Sequence, residues 1–246
     1  MSLYIDYNYA MNLLLLRSEN IQNNITTIVG RQLEHVIRVQ RLNKGDTVRV
    51  GQINGAIGSG TITSIDNMSA TVEVELKTKA PAPLPMTIIL ALPRPKMVRR
   101  ILQTIAAMGV KTVYLVNSSR VEKSFWQSPL LAPEAIEEQL ILGLEQSMDT
   151  LLPTVHLRKL FKPFVEDELP SVVGSSTAIV AHPHTEQRCP IDCKFATTLA
   201  IGPEGGFIPF EVEKLVQAGF APVHLGSRIL RVENAVPALI SRLYPA

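Results

Sequence analysis

Ile201-Gly-Pro-Glu-Gly-Gly-Phe207 and Leu225-Gly-Ser-Arg-Ile-Leu-Arg-Val-Glu-Asn234 bracket the stretch that decides the fold of this chain. The apolar runs at residues 198–201 and 223–225 each lead into a glycine-containing turn, and each turn opens a helical pattern. Strand, loop and helix are written twice in close succession. In open α/β sheets, ligands sit at such carboxyl ends of strands. Glycine lacks a Cβ and tolerates positive φ, so its backbone can approach a ligand closely.

The first loop is a poor phosphate cradle. Gly202-Pro203-Glu204-Gly205-Gly206 matches neither Gly-x-Gly-x-x-Gly nor Gly-x-x-x-x-Gly-Lys-Ser/Thr. Glu204 would repel a pyrophosphate, and Pro203 removes an amide donor. A cationic or neutral ligand suits it better, and the sulfonium of S-adenosylmethionine is such a group.

Around this stretch, 246 residues allow one large or two modest domains. A hydrophobic content of 46% with 19% charged residues reads as globular. The net charge of +2 conceals an asymmetry: residues 93–123 hold seven Lys/Arg against one acid, and residues 124–186 hold three against nine. Local excess, more than the total, governs attraction to an anionic polymer. Two cysteines make no disulfide framework, so a reducing, cytoplasmic location is expected. The apolar run at 11–16 has Arg17 after it and lacks the length and charge order of a signal peptide or membrane span. Its end, 13–16, is expected to be the first strand.

Alternation of apolar and polar residues predicts strands over 47–53, 60–65 and 71–76, separated by turns at Gly45-Asp46, Asn54-Gly55 and Asp66-Asn67. A small β-domain over 11–79 is expected, closed by the stiff proline-rich linker 80–85. The continuous apolar run at 86–92 predicts a strand buried on both faces. A helix over 93–108 follows, with Met97, Val98, Ile101, Leu102 and Ile105 inward and Lys96, Arg99, Arg100 and Gln103 on the other side. Further strands are predicted over 112–116, 154–157, 177–181, 197–201 and 222–225, with helices over 133–148, 209–218 and 232–243. Such alternation describes a mainly parallel sheet with helices on both faces.

Two clusters have rival readings. His182, His184, Cys189 and Cys193 are zinc-capable residue types, but their spacing is not that of a standard zinc site, and the cysteines read equally as buried, inert thiols. Arg38, Arg41, Lys44 and Arg49 are either an RNA-docking surface or solubilising charge.

Taken together, the two motifs resemble the RsmE family of ribosomal RNA uridine-N3 methyltransferases, of the SPOUT superfamily. The matching residues are Gly202–Gly206, Leu225, Gly226, Arg228–Arg231, Glu233 and Ala235, while Asn234 stands where the family has threonine. Residues 35–46, His-Val-Ile-Arg-Val-Gln-Arg-Leu-Asn-Lys-Gly-Asp, are similar to the start of that family's N-terminal PUA-like barrel. Departures fall elsewhere: Arg99 and Ala107 replace glutamates, Thr104 a lysine and Asp149 an arginine.

The resemblance implies an α/β fold, with a PUA-like β-barrel over 11–79 and a trefoil-knotted SPOUT methyltransferase domain over 86–246. It also implies S-adenosylmethionine as cofactor, no metal, a homodimer, and ribosomal RNA in the assembled small subunit as substrate. The cofactor would meet Ile201, Gly202, Pro203, Glu204 and Gly205, then Leu225, Gly226, Ser227, Ile229 and Leu230, with His182 bordering the pocket. Uridine N3 is a nucleophile only once deprotonated, so guanidinium groups of Arg228 and Arg231 would stabilise the anion. Glu233 or water would take the proton; the alternative role of the two arginines is an ion pair with Glu233 or Glu204. Arg38, Arg41, Lys96, Arg99, Arg100 and Arg120 are the expected RNA contacts. Three other functions remain open: methylation of a different RNA position, RNA binding without catalysis, and a zinc-stabilised structural protein.

Overall fold

The structure, a computed structural model, describes residues 12–245. Met11, where the sequence reading begins the first domain, and Ala246 lie outside the described residues. The chain forms two compact units.

Of the described residues, the first unit holds 12–82 together with 141–152. Its strands are β1 (Leu14–Leu16), β2 (Ile25–Ile28), β3 (Thr47–Gln52), β4 (Ile57–Ile65) and β5 (Ala70–Thr78). They make one sheet in the order β1-β3-β4-β5-β2, antiparallel except for the β1–β3 pair. Alternation along β3 and β5 sends Val48, Val50, Val72 and Val74 into the core with Leu14, Leu16, Ile28 and Ile62. Two turns follow their sequence signals. Asn54 takes the left-handed φ of 59° that asparagine tolerates, and Asp66 accepts from Met68 N (2.7 Å) and Ser69 N (2.8 Å).

Two features of this unit depart from the sequence reading. Between β2 and β3 the chain is helical, as α1 (Gly30–Glu34) and a wider turn, His35–Gln40. Residues 141–152, assigned by sequence to the second domain, belong here. Thr150 Oγ1 donates to Gly55 O (2.6 Å), and Arg31 pairs with the buried Glu145 at 2.7 Å.

The second unit is built on six parallel strands: β6 (Met86–Ala91), β7 (Thr112–Val116), β8 (Thr154–Arg158), β9 (Thr177–Ala181), β10 (Thr197–Ile201) and β11 (Ala221–Val223). Their order is β11-β9-β10-β6-β7-β8. The central β10 is buried throughout, its two threonines included, as a strand with neighbours on both sides and both faces covered requires. The helices include α2 (Pro95–Ala107), the 133–140 part of α3 (Pro133–Ser147), α4 (Phe161–Pro163), α5 (Leu169–Val173), α6 (Pro209–Gln217) and α7 (Val232–Leu243). Pro95 opens α2, where its missing N–H costs nothing. The expected inward face of α2 is buried except for half-buried Met97. Among the described residues, no helix is long and apolar enough to cross a membrane.

At the end of α7, Tyr244 fastens the chain to the amino-terminal edge of the sheet. Its hydroxyl donates to the carbonyl of Pro85 (3.1 Å) or Phe195 (2.8 Å) and lies 2.9 Å from Thr197 Oγ1. Tyr244→Phe removes this link and is expected to cost about 0.5–1.5 kcal/mol in urea unfolding, with the fold retained.

Candidate active site

Three neighbouring strands end level. In the parallel ladder Ala181 pairs with Ile201 on one side and Val223 on the other, so β9, β10 and β11 release their chains at one edge of the sheet. The sequence reading set the two motif loops side by side. Instead β9 lies between their strands, and its exit residue His182 takes the middle place. His182 N donates to Val223 O (2.9 Å). The following loop returns beside β11, with His224 N donating to Gln187 O and Cys189 N to His224 O, both at 2.9 Å.

These exits enclose a cavity of about 270 Å³, walled by residues 181–184, 201–207, 223–226 and 228–230 and floored by Val232, Ala235 and Leu239 of α7. The first motif loop is tight: Gly206 N donates to Pro203 O (2.7 Å), and Gly206 sits at φ 73°. A Cβ on Gly202 would lie 2.9 Å from the backbone nitrogen of Phe207, so only glycine fits there. Exposed backbone and glycines thus shape one wall. Ile229, 75% exposed, and Leu230, 39% exposed, offer apolar surface on another.

Charged groups brace this loop from neighbouring elements. Glu204, a candidate acceptor for the next helix, instead accepts from Arg94 N (3.1 Å) at the start of α2. The next helix is served by Glu211, 3% exposed, which accepts from Ile208 N (2.9 Å) and from Ser119 N (2.6 Å) beyond β7. Arg120 Nη1 donates to Gly205 O. A buried carboxylate is tolerable because its charge is met by such hydrogen bonds. Glu211 was not singled out from sequence, although a glutamate three residues into α6 was a legible signal.

Of the sequence-derived cofactor residues, His182, Ile201, Gly202, Pro203, Glu204, Gly205, Leu225, Gly226, Ile229 and Leu230 line the cavity, and Ser227 does not. Arg228 lines it as well; Arg231 and Glu233 do not. Arg228 precedes α7 and Arg231 caps it, so their spacing of three is not the helical adjacency that the sequence suggested. Neither makes an ion pair with Glu233 or Glu204. Glu233 stands in the first turn of α7, where a negative charge favours the helix dipole.

The expected RNA contacts separate. Lys96, Arg99 and Arg100 are exposed on α2, whereas Arg120 braces the loop just described. In the first unit Arg38 pairs with Glu34 at 2.9 Å in solvent, and Arg41 ends the helical segment at φ 54°.

His182 and His184 meet edge to face at 5.8 Å. Burial, and then the neighbouring His184, hold the His182 imidazole below its usual pKa. Among the described residues, no three His, Cys, Asp or Glu side chains converge as a metal site. Cys189 is buried, which pushes its thiol up, and its carbonyl accepts from Arg242 Nε (2.7 Å). Cys193 N donates to Leu243 O (2.7 Å). These contacts make the cysteine-bearing loop a tie to α7.

The profile of the RNA methyltransferase domain family matches residues 80–244. The chain belongs to this family. Among curated relatives of this RNA methyltransferase, Ribosomal RNA small subunit methyltransferase E of Treponema pallidum is 28% identical over 244 residues, covering 93% of this chain and 88% of the relative. Ribosomal RNA small subunit methyltransferase E 1 of Borreliella burgdorferi is 22% identical, covering 93% and 95%. The fold is shared with the crystal structure of Ribosomal RNA small subunit methyltransferase E from Neisseria gonorrhoeae bound to S-adenosyl methionine. That match has a TM-score of 0.74 at 22% identity, over 94% of this chain and 95% of the other.

Glu211→Ala leaves the Ile208 and Ser119 amides without their acceptor. It is expected to destabilise the second unit by about 2–3 kcal/mol in urea unfolding and to speed hydrogen exchange at those two amides.

Proposed function

We propose that this protein transfers the methyl group of S-adenosylmethionine to N3 of a uridine in small-subunit ribosomal RNA. The observation that carries this reading is the cavity at the level ends of β9, β10 and β11, lined by both motif loops. Its residues fit the donor. Glycine backbone at 202, 205 and 226 allows close approach, and Ile229 and Leu230 present apolar surface to an adenine. Glu204 is a carboxylate at the cavity wall, suited to a sulfonium and hostile to phosphate. When bound, the donor supplies an electrophilic methyl on positively charged sulfur.

The protein then has two tasks: positioning, and stabilising the uracil anion. Arg228 lines the cavity without an ion-pair partner among the described residues and is the guanidinium assigned to that anion. Arg231 and Glu233, outside the cavity at the start of α7, are assigned to the RNA strand around the target base. The exposed cations Lys96, Arg99 and Arg100 extend this as a phosphate track within the second unit. In the first unit, the exposed Arg38 and Arg41 are assigned to RNA phosphates separately. The same reading includes a PUA-like barrel for the first unit, a trefoil knot in the second, and a cytoplasmic homodimer acting on the assembled small subunit. The names of the curated relatives support the RNA and the subunit.

The test is mass-spectrometric mapping of modified nucleosides in ribosomal RNA from a strain lacking the gene. Loss of one N3-methyluridine from small-subunit RNA, restored by the intact gene, is the expected result; an unchanged map would overturn the proposed target. Gly202→Ala is expected to weaken donor binding at least about fivefold by calorimetry, because the new Cβ meets backbone that must shift, a cost of about 1–3 kcal/mol. Gly205→Ala should cost less, since its Cβ would meet only the flexible Arg120 side chain at 3.0 Å.

A further inference from the structure

A second cavity, about 560 Å³, adjoins the first. Arg120, Pro209, Val212 and Glu213 line it, together with His182, His184 and Phe207, which line the donor cavity as well. The shared wall therefore consists of His182, His184 and Phe207. Phe207 is buried, its ring 6.0 Å from that of Phe161, while His182 is half-buried and His184 exposed. Accessible imidazoles suit a planar base, and the volume lies within the range of small-molecule sites.

We propose that the second cavity takes the acceptor pyrimidine, turned out of the RNA strand, and that His182 accepts its N3 proton. The proposal rests on the methyl-transfer reading above and assigns the acceptor side of that reaction. An in-line transfer needs the acceptor atom about 3–3.5 Å from the methyl carbon, so the base must reach the donor across a common boundary. His182 stands on that boundary, at the exit of the middle strand. Burial, and then His184, lower its pKa and so favour the neutral ring that a proton acceptor requires. Glu233, the acceptor suggested by sequence, lines neither cavity. Glu213 lines only the outer one.

The remaining charged and titratable groups around the two cavities are His184, Arg120, Glu204, His224 and Arg228. Arg120 spends one N–H on Gly205 O, and its other donors have no partner among the described residues. They are available to an oxygen of the uracil anion. In the step itself the N3–H bond breaks and the proton passes to the free ring nitrogen of His182. The N3 electron pair forms the new bond to the methyl carbon while the carbon–sulfur bond breaks. Sulfur keeps that pair, leaving S-adenosylhomocysteine, and the imidazolium returns its proton to water.

The experiment uses small ribosomal subunits from a strain lacking the gene and S-adenosylmethionine labelled in its methyl group. Single-turnover rates are measured across the histidine titration range, and donor dissociation constants by calorimetry. The wild-type rate should rise with pH and level off above the His182 pKa. At saturating donor, His182→Gln should react about 10²-fold or more slowly and show a rate still climbing into alkaline pH. Val212→Trp fills the outer cavity and should abolish transfer while leaving donor binding intact. Apart from activity, NMR of ¹³C-labelled histidine in the S-adenosylhomocysteine complex should show a depressed pKa whose signal disappears in His182→Gln. An unchanged rate and pH profile in His182→Gln would overturn the proposal. So would normal transfer by Val212→Trp, or loss of the acid limb in Glu213→Gln instead. If the wild-type enzyme methylates a different atom, or nothing, the methyl-transfer reading itself fails, and product analysis identifies that case separately.

Discussion

The register of three parallel strands governs this site. Hydrogen bonds along β10–β9 and β9–β11 set Ala181, Ile201 and Val223 level, and the first cavity opens at those ends. A slip by one residue would turn each exit residue to the opposite face of the sheet, because side chains alternate along a strand. Near-continuous burial of β10 resists such slippage. The cavity is thus a consequence of strand pairing, and the loops need little internal order to form it.

Little internal order is what the first motif loop has. Glycine and proline supply its turn, but its position is set from outside, by Arg94 on Glu204, by Arg120 on Gly205 and by Glu211 behind it. Arg120 holds the loop by its main chain at Gly205 O, while Glu204 reaches out with its side chain to Arg94 N, so glycine faces remain open. This arrangement preserves close approach for a ligand and rigidity together, two properties that a glycine-rich loop alone does not combine. Charged side chains of the kind expected at substrate contacts therefore serve as struts. Arg120 does both in the reading given above.

Legibility varied along the chain for physical reasons. Strands β7, β9 and β10 and helix α7 coincide with their sequence-derived limits, because long apolar runs and strong helical periodicity leave few alternatives. β2 and α1 were not legible. Ile25-Thr-Thr-Ile28 is too short for a pattern, and Gly30 gives no helix signal. The segment 141–152 was assigned to the wrong unit since its apolar residues specify burial without naming what buries them.

By itself, the sequence determined that a parallel α/β unit follows a small β unit, that two glycine-bearing loops leave strand ends, and that the first of them disfavours a polyphosphate. These follow from local chemistry: period, turn residues and the sign of one carboxylate. Only the tertiary structure decided that β9 separates the two motif loops, that His182 rather than Glu233 stands between two cavities, and that Arg228 alone of the three catalytic candidates lines the first cavity. Spacing along a chain constrains neighbours within one helix or strand. The order of strands in a sheet depends on how distant segments bury one another, which no local pattern records.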